Sequence, residues 1–245
     1  PDFEDGDELD LDQWNLHPVQ VDTWGGLVFV AIEPDESLNT QLGATIDELS
    51  AEPMESATLV ATERLVFNAN WKIYTDNFVE GYHIPGIHPA FFRGIDFSKF
   101  ETTAHDGLVR MTAPAADELF YRGRWLWMWP NWTLSLYPDG FNTSRINPIS
   151  ESRTELLYHF YFQNAEKGQD VDSGQNAEAR DQEAYADTIA RNMAVIREDF
   201  GICERIHRNF ESGAYEPGPL SPKHETGVAY FQDRVQRTLA RHAQP

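Results

Sequence analysis

Short apolar runs and apolar–polar alternation fill the first two-thirds of this chain, and a spacing of three and four takes over near its end. Val19 to Ile32 contains Trp24-Gly25-Gly26 followed by Leu27-Val28-Phe29-Val30-Ala31-Ile32, and predicts β-structure ending at Glu33-Pro34-Asp35. Residues 33–56, polar and containing proline, read as a connection, and Thr58 to Phe67 predicts a further strand. Between Leu108 and Phe162, Pro, Gly, Asn and Asp separate β-rich pieces. Trp125 to Trp129, Thr133 to Tyr137, Asn142 to Ile146 and Thr154 to Phe162 predict an antiparallel meander. After a polar stretch from Asn164 to Gly174, apolar residues recur at Ile189, Met193, Ile196, Phe200, Cys203, Ile206 and Phe210, the stripe of a long amphipathic helix. Ser212-Gly213 and the prolines from Pro217 end it. An antiparallel sheet packed against one long C-terminal helix is an α+β arrangement in two layers.

Composition narrows the class. The 245 residues are 41% apolar, 13% aromatic and 24% charged, enough for one or two packed domains. The longest apolar run, Leu27 to Ile32, falls far short of the roughly 20 residues of a bilayer-crossing helix, so a soluble protein is expected. Residue 1 is Pro, with no basic segment leading into an apolar one, which reads as a cut or processed end. The net charge of −21 disfavours a nucleic acid or an anionic membrane as partner. That charge is uneven, because residues 1–63 carry 16 carboxylates and no Lys or Arg. This first quarter, with its acidic opening from Asp2 to Glu8, reads either as a solvated surface or as a docking face for a basic partner. A single cysteine, Cys203, excludes internal disulfides and Cys-rich metal clusters and fits a reducing, cytoplasmic compartment.

Of the eight histidines, His83 and His88 form the one close pair, within Asp76-Asn77-Phe78-Val79-Glu80-Gly81-Tyr82-His83-Ile84-Pro85-Gly86-Ile87-His88-Pro89. On a continuous helix, five residues would turn the two rings roughly 140° apart. Pro85 and Gly86 interrupt that helix, so His83 on its last turn and His88 from the following loop are free to converge. Surface or capping histidines are the plainer alternative. Two imidazoles need an anionic ligand to hold divalent iron. Asp199 qualifies: it flanks the apolar helix stripe, three after Ile196 and four before Cys203, where an unpaired carboxylate is costly. A solvent-facing Asp199 is the competing reading. Two His and one carboxylate leave coordination positions open, the arrangement with which non-haem Fe(II) binds O2 beside a substrate. Glu80, three before His83, lies where its carboxylate can accept a hydrogen bond from that ring. A di-iron alternative pairs Glu80-x-x-His83 with Glu204-x-x-His207, but needs two more Glu-bearing helices than the β-rich middle offers.

Asn70-Trp71-Lys72, then Asp76-Asn77, Glu80-x-Tyr82-His83 and His88-Pro89, resemble the mononuclear-iron motif of Rieske non-haem iron oxygenases, the α-subunits of aromatic ring-hydroxylating dioxygenases and their relatives. Val21 to Val30 resembles the strand that closes the Rieske domain, Trp129-Pro130-Asn131 a strand start in that family, and Glu198-Asp199 its carboxylate ligand site. The resemblance implies a helix-grip (Bet v 1-like) catalytic domain over residues 51–245, preceded at 1–50 by the acidic segment and a remnant of a Rieske domain. It implies that His83, His88 and Asp199 bind iron, that Asn77 stands near the metal, and that Glu80 carries electrons from a Rieske cluster in the neighbouring subunit of a homotrimer. Glu at position 80, with this spacing, and the tail from Glu198 to Tyr215 look most like the branch that acts on quaternary amines, including choline monooxygenase and betaine demethylases. One departure matters: a Rieske [2Fe–2S] cluster takes two Cys and two His, and this sequence has one Cys. The chain is therefore expected to be the C-terminal part of a longer protein, dependent on a cluster elsewhere and on a ferredoxin or flavin reductase as electron donor.

Phe120, Tyr121, Trp125, Trp127, Trp129 and Trp132 supply rings for a cage around a trimethylammonium group, or simply a core. Alternation puts Trp125, Trp127 and Trp129 on one strand face, and Trp127 is a candidate substrate contact. The resemblance adds Phe78, Ile84 and Phe92 as pocket-lining, suited to an aromatic ring or a methylated amine. The expected activity is O2-dependent hydroxylation of such a substrate. A non-catalytic small-ligand module on the same fold competes with it, as does, more weakly, a zinc hydrolase.

Overall fold

The computed structural model describes residues 15–105, 107–114, 122–163 and 175–242. The acidic opening, Phe120, Tyr121 and the stretch from Asn164 to Gly174 lie outside them. A hairpin comes first: β1 (Gln20–Trp24) and β2 (Leu27–Ala31) pair antiparallel around Gly25 and Gly26, whose φ angles of 59° and 77° explain the two glycines of the turn. Residues 33–56, expected as plain connection, contain two short helices, α1 (Leu38–Leu42) and α2 (Thr45–Glu48). Ser37 starts the first by accepting a hydrogen bond from the Thr40 amide.

The main sheet has seven antiparallel strands in the order β3-β9-β8-β7-β6-β5-β4. They are β3 (Thr58–Phe67), β4 (Glu101–His105), β5 (Leu108–Thr112), β6 (Arg124–Met128), β7 (Trp132–Leu136), β8 (Gly140–Ser150) and β9 (Arg153–Phe162). The predicted meander is therefore present, with most ends shifted by one or two residues and β8 running four residues beyond the expected Ile146. Only β3 breaks the sequential order, returning to pair with β9 from Thr58↔Phe162 to Phe67↔Thr154.

Three helices cover one face: α3 (Trp71–Phe78), α6 (Gln175–Glu211) and α7 (Thr226–His242). The sheet contributes Trp125, Trp127, Tyr158 and Phe160 to this core, and α6 contributes Met193, Ile196 and Cys203. The opposite face is covered as well. Leu126, Met128, Leu134, Leu136 and Phe141 pack there against Leu38 and Leu42 of α1 and against Trp24, Leu27 and Phe29 of the hairpin. The expected two layers thus gain a thin third one. Because the outer side of β6 to β8 carries Leu126, Met128, Leu134, Leu136 and Phe141, it also has to leave water. The second departure is α7, which lies beyond the prolines that end α6 and was not expected from the sequence; Phe231 anchors it, fully buried beside Trp71 and Trp127.

Candidate metal centre

The segment that carries the histidines does not fold as one long helix. Asn70 caps α3 by accepting a hydrogen bond from the Lys72 amide at 3.0 Å, and Ile73, Tyr74 and Thr75 bury its inner face. The helix stops at Phe78, so Glu80 and His83 lie beyond it. Instead of marking the point where a helix breaks, Pro85 sits in the first turn of a new one, α4 (Ile84–Ile87), a position that suits its fixed φ and missing N–H. His83 caps α4, and His88 sits between it and α5 (Pro89–Arg93) with φ −118° and ψ 68°. This sharp bend after a single turn brings the two rings together, centroids 5.1 Å apart.

The turn around Glu80 is tightly packed from two sides. A Cβ on Gly81 would lie 2.6 Å from the Phe100 ring, and one on Gly227 would lie 2.1 Å from the Val79 carbonyl oxygen. Both positions need glycine, because only a residue without a side chain lets Phe100 and the start of α7 approach so closely.

Asp199 completes the group from α6. Its Oδ1 is 2.9 Å from His88 Nε2 and 3.7 Å from His83 Nε2, and one donor atom from each of the three residues lies within 4.8 Å of the others. Although Asp199 is buried, its Oδ1 receives no hydrogen bond: the short approach of His88 Nε2 is not aligned as one. The three donor atoms form one compact cluster. Donors about 2.1 Å from a single ion and at right angles to each other stand about 3 Å apart, so the spacing fits one first-row divalent metal.

Each imidazole is held from behind by a glutamate. His83 Nδ1 pairs with Glu80 Oε1, whose other oxygen accepts from the backbone amides of Tyr82 and His83. His88 Nδ1 pairs with Glu198 Oε2 at 2.7 Å. A carboxylate accepts, so Nδ1 is the donating nitrogen of each pair, and Nε2 of each ring is turned toward Asp199. Burial pushes the His88 pKa down, but the Asp199 and Glu198 carboxylates outweigh it and the net shift is upward. Burial and the Asp199 charge raise the Cys203 thiol, and burial raises the Tyr158 phenol to about 12, so both stay protonated and neutral.

A cavity of about 80 Å³ opens beside the three residues, with room for several water molecules. Asn77, Phe78 and Ile84 line it, together with Glu80 and the triad. Phe92 is 37% exposed and packs edge-on against Phe97 at 5.5 Å, and it is not among the residues of that wall. Trp127, 0% exposed, packs edge-on against Phe231 and Trp129; on its strand it is Trp125 that borders the cavity, with Phe91 against it at 5.5 Å. Sequence reasoning missed Glu198 as the His88 partner, and Tyr158, Ser135 and Asn192 as wall residues, whereas Trp125 was among the rings it offered for a cage. Adjacency to Asp199 was the only available signal for the first. The di-iron alternative finds no support: Glu204 accepts from the Asn68 backbone amide at 2.9 Å, and His207 lies beside Glu211.

The model of the family described as ring hydroxylating alpha subunit (catalytic domain) matches residues 54–117 and 99–241. Chloroplastic choline monooxygenase of Spinacia oleracea is 23% identical over 245 residues, covering 94% of this chain and 53% of the relative. The carnitine monooxygenase oxygenase subunit of Acinetobacter pittii is 26% identical over 255 residues, covering 94% and 64%. Both are longer than the matched region, so this chain spans only about half to two-thirds of their length. Among solved structures, the quaternary ammonium Rieske monooxygenase CntA superposes with a TM-score of 0.70 at 25% identity, over 90% of this chain and 61% of CntA. With the family model covering well over half of its length, the chain belongs to the ring-hydroxylating α-subunit family, as its catalytic domain.

Proposed function

We propose that this chain is the iron-binding part of a Rieske-type oxygenase that hydroxylates an N-methyl group of a small amine. The convergence of His83, His88 and Asp199 on one point, each ring braced by a glutamate, carries the reading. A ferrous ion there would supply the centre that binds and activates O2. Overall, one C–H bond becomes C–OH and the second oxygen atom leaves as water, consuming two electrons and two protons. The choice of a methylated amine over an aromatic ring rests on the curated relatives, which oxidise choline and carnitine, and on a cavity sized for few atoms with Trp125, Phe91 and Phe100 in its wall.

The residues of this chain have separable roles in that reaction. Glu80 and Glu198 fix the tautomer and direction of the two rings. Phe78, Ile84 and Trp125 exclude bulk water from the cavity and present an apolar surface to the methyl groups. Glu80 also lies at the edge of the site, next to Tyr82, which is 63% exposed. We assign it the entry of electrons from a [2Fe–2S] cluster carried outside these residues, in a homotrimer served by a ferredoxin or flavin reductase. A solved structure of CntA is described in terms of inter-subunit electron transfer, which supports this arrangement. The β1–β2 hairpin, with Val21, Val28, Val30 and Ile32 exposed on its outward side, is assigned with residues 1–50 to the cluster-bearing domain.

Metal analysis of the anaerobically purified chain tests the reading. About one iron per chain, lost in His83→Ala, is expected. Zinc in its place would turn the proposal toward hydrolysis, and no metal after reconstitution would leave a small-ligand module.

A further inference from the structure

The helix-facing side of the central strands is polar where a sheet core is ordinarily apolar. Thr133 and Ser135 on β7, and Asn142 and Ser144 on β8, are all at most 5% exposed. They are direct neighbours, Ser135↔Asn142 and Thr133↔Ser144, while Leu134, Leu136 and Phe141 face the outer cluster. The register places this strip between aromatic walls. Trp125 and Trp127 of β6 oppose Ser135 and Thr133, and Phe160 and Tyr158 of β9 oppose Asn142 and Ser144. Buried hydroxyls and amides cost stability unless something pairs with them.

Half of the strip is matched internally, since the Thr133 and Ser144 hydroxyls are 2.5 Å apart. The other half adjoins the cavity. Ser135 and Asn192 both line it, with Asp199 at the same wall. Asn192 is anchored by donating to the Tyr137 phenol oxygen at 2.8 Å, and Asn142 donates to that same oxygen. Asn142 Oδ1, next to Ser135 in register, is buried and receives no hydrogen bond. This is a built polar end, neutral throughout, in a cavity whose wall is otherwise mostly aromatic and aliphatic away from the triad.

Charge and length restrict what fits. Among the described residues of the cavity wall, the charged groups are the carboxylates of Asp199 and Glu80, and none is Lys or Arg. A divalent ion does not reverse this, because Asp199, Glu80 and Glu198 together carry one negative charge more than the ion neutralises. Asn192 and Asp199 are seven residues apart on α6, which puts them on one face about 10 Å apart along the axis. With a contact of about 3 Å at each end, a molecule only a few bonds long spans the gap.

We propose that Ser135 and Asn192 bind the oxygen-bearing end of the substrate, and that the site therefore takes a small methylated amine whose second polar group is a neutral hydroxyl or carbonyl rather than a carboxylate. This deepens the amine-oxygenase reading and rests on it. A hydrogen-bonding site rejects an analogue lacking its partner, and a carboxylate here would be desolvated without a counter-ion.

The experiment is calorimetric titration of the anaerobic, Fe(II)-loaded chain with choline, tetramethylammonium and γ-butyrobetaine. Choline is expected to bind at least about tenfold more tightly than either of the others. Ser135→Ala and Asn192→Ala should shrink the choline advantage over tetramethylammonium while leaving tetramethylammonium affinity unchanged. Ser135→Ala removes one oxygen and carries the test if Asn192→Ala fails to fold. If γ-butyrobetaine matches choline, or Ser135→Ala weakens choline and tetramethylammonium alike, the subsite is wrong and the amine reading stands. If no ammonium compound binds, both are wrong.

Discussion

Glu198 and Asp199, consecutive on α6, grip opposite edges of the same imidazole: Glu198 Oε2 is 2.7 Å from His88 Nδ1, and Asp199 Oδ1 is 2.9 Å from Nε2. His88 is buried while Glu198 remains half-exposed, so the ring is wedged between the helix and the α4–α5 bend. The orientation of the ring thus depends on two carboxylates from one helix turn. Replacing Glu198 by Gln should leave the fold unchanged and weaken iron binding about 10- to 100-fold, the range seen when a ligand's outer partner is lost. Competition with a chelator measures it. An affinity equal to the parent's would show that Asp199 alone orients the ring.

Removing a metal-facing donor should have a larger effect. His83→Ala and Asp199→Ala are each expected to abolish iron binding while keeping the circular dichroism of the parent chain. Full iron occupancy in either variant would remove that residue from the metal site.

Glu80 is expected to separate metal binding from electron supply. In the full-length enzyme, Glu80→Gln should retain iron but stop product formation when the physiological reductase is the electron source. Unchanged turnover would route the electrons elsewhere.

Asp76 predicts an unusual pH dependence. Burial raises its carboxyl from 3.8 to about 7, a Gln232 hydrogen bond opposes the shift, and Glu80 adds to it; Lys72 and Glu225 also face it, with opposite effects. Because the folded chain holds this proton more tightly than the unfolded one, its contribution is fully present below about pH 4 and is lost as pH rises through about 7. Asp76→Asn should therefore match the parent near pH 4 and exceed it at pH 8, by up to about 4 kcal/mol. Denaturant unfolding at the two pH values checks this, and a parallel shift at both would contradict it.

The two neighbouring tryptophans should differ in what they lose. Trp125 borders the cavity, so Trp125→Leu should weaken a trimethylammonium ligand more than its neutral carbon isostere. Trp127 is sealed against Phe231 and Trp129, so Trp127→Ala should cost about 3–5 kcal/mol of stability. Titration of both ligands and denaturant unfolding distinguish the two outcomes.

Local signals decided much of this protein in advance. Alternation and turn residues mark β3 and the β6–β9 meander, because each strand's pattern follows from its own two faces. The three-four spacing marks α6 from Ile189 to Phe210, and the Glu80-x-Tyr82-His83 and His88 segment marks the histidines. Spacing in the chain cannot say how far apart two ring nitrogens stand, however. That depended on α3 ending at Phe78 and on Pro85 opening a new turn, which the packing of Phe100 against Gly81 and of α7 against Val79 enforces. In the same way, Trp125 and Trp127 are indistinguishable by alternation, and only the position of α7 buries one of them and leaves the other at the cavity. The role of Glu198, and the polar strip of Ser135 and Asn142, arise between segments more than 50 residues apart or on neighbouring strands. Chemistry of that kind comes from long-range contacts, which no local period encodes.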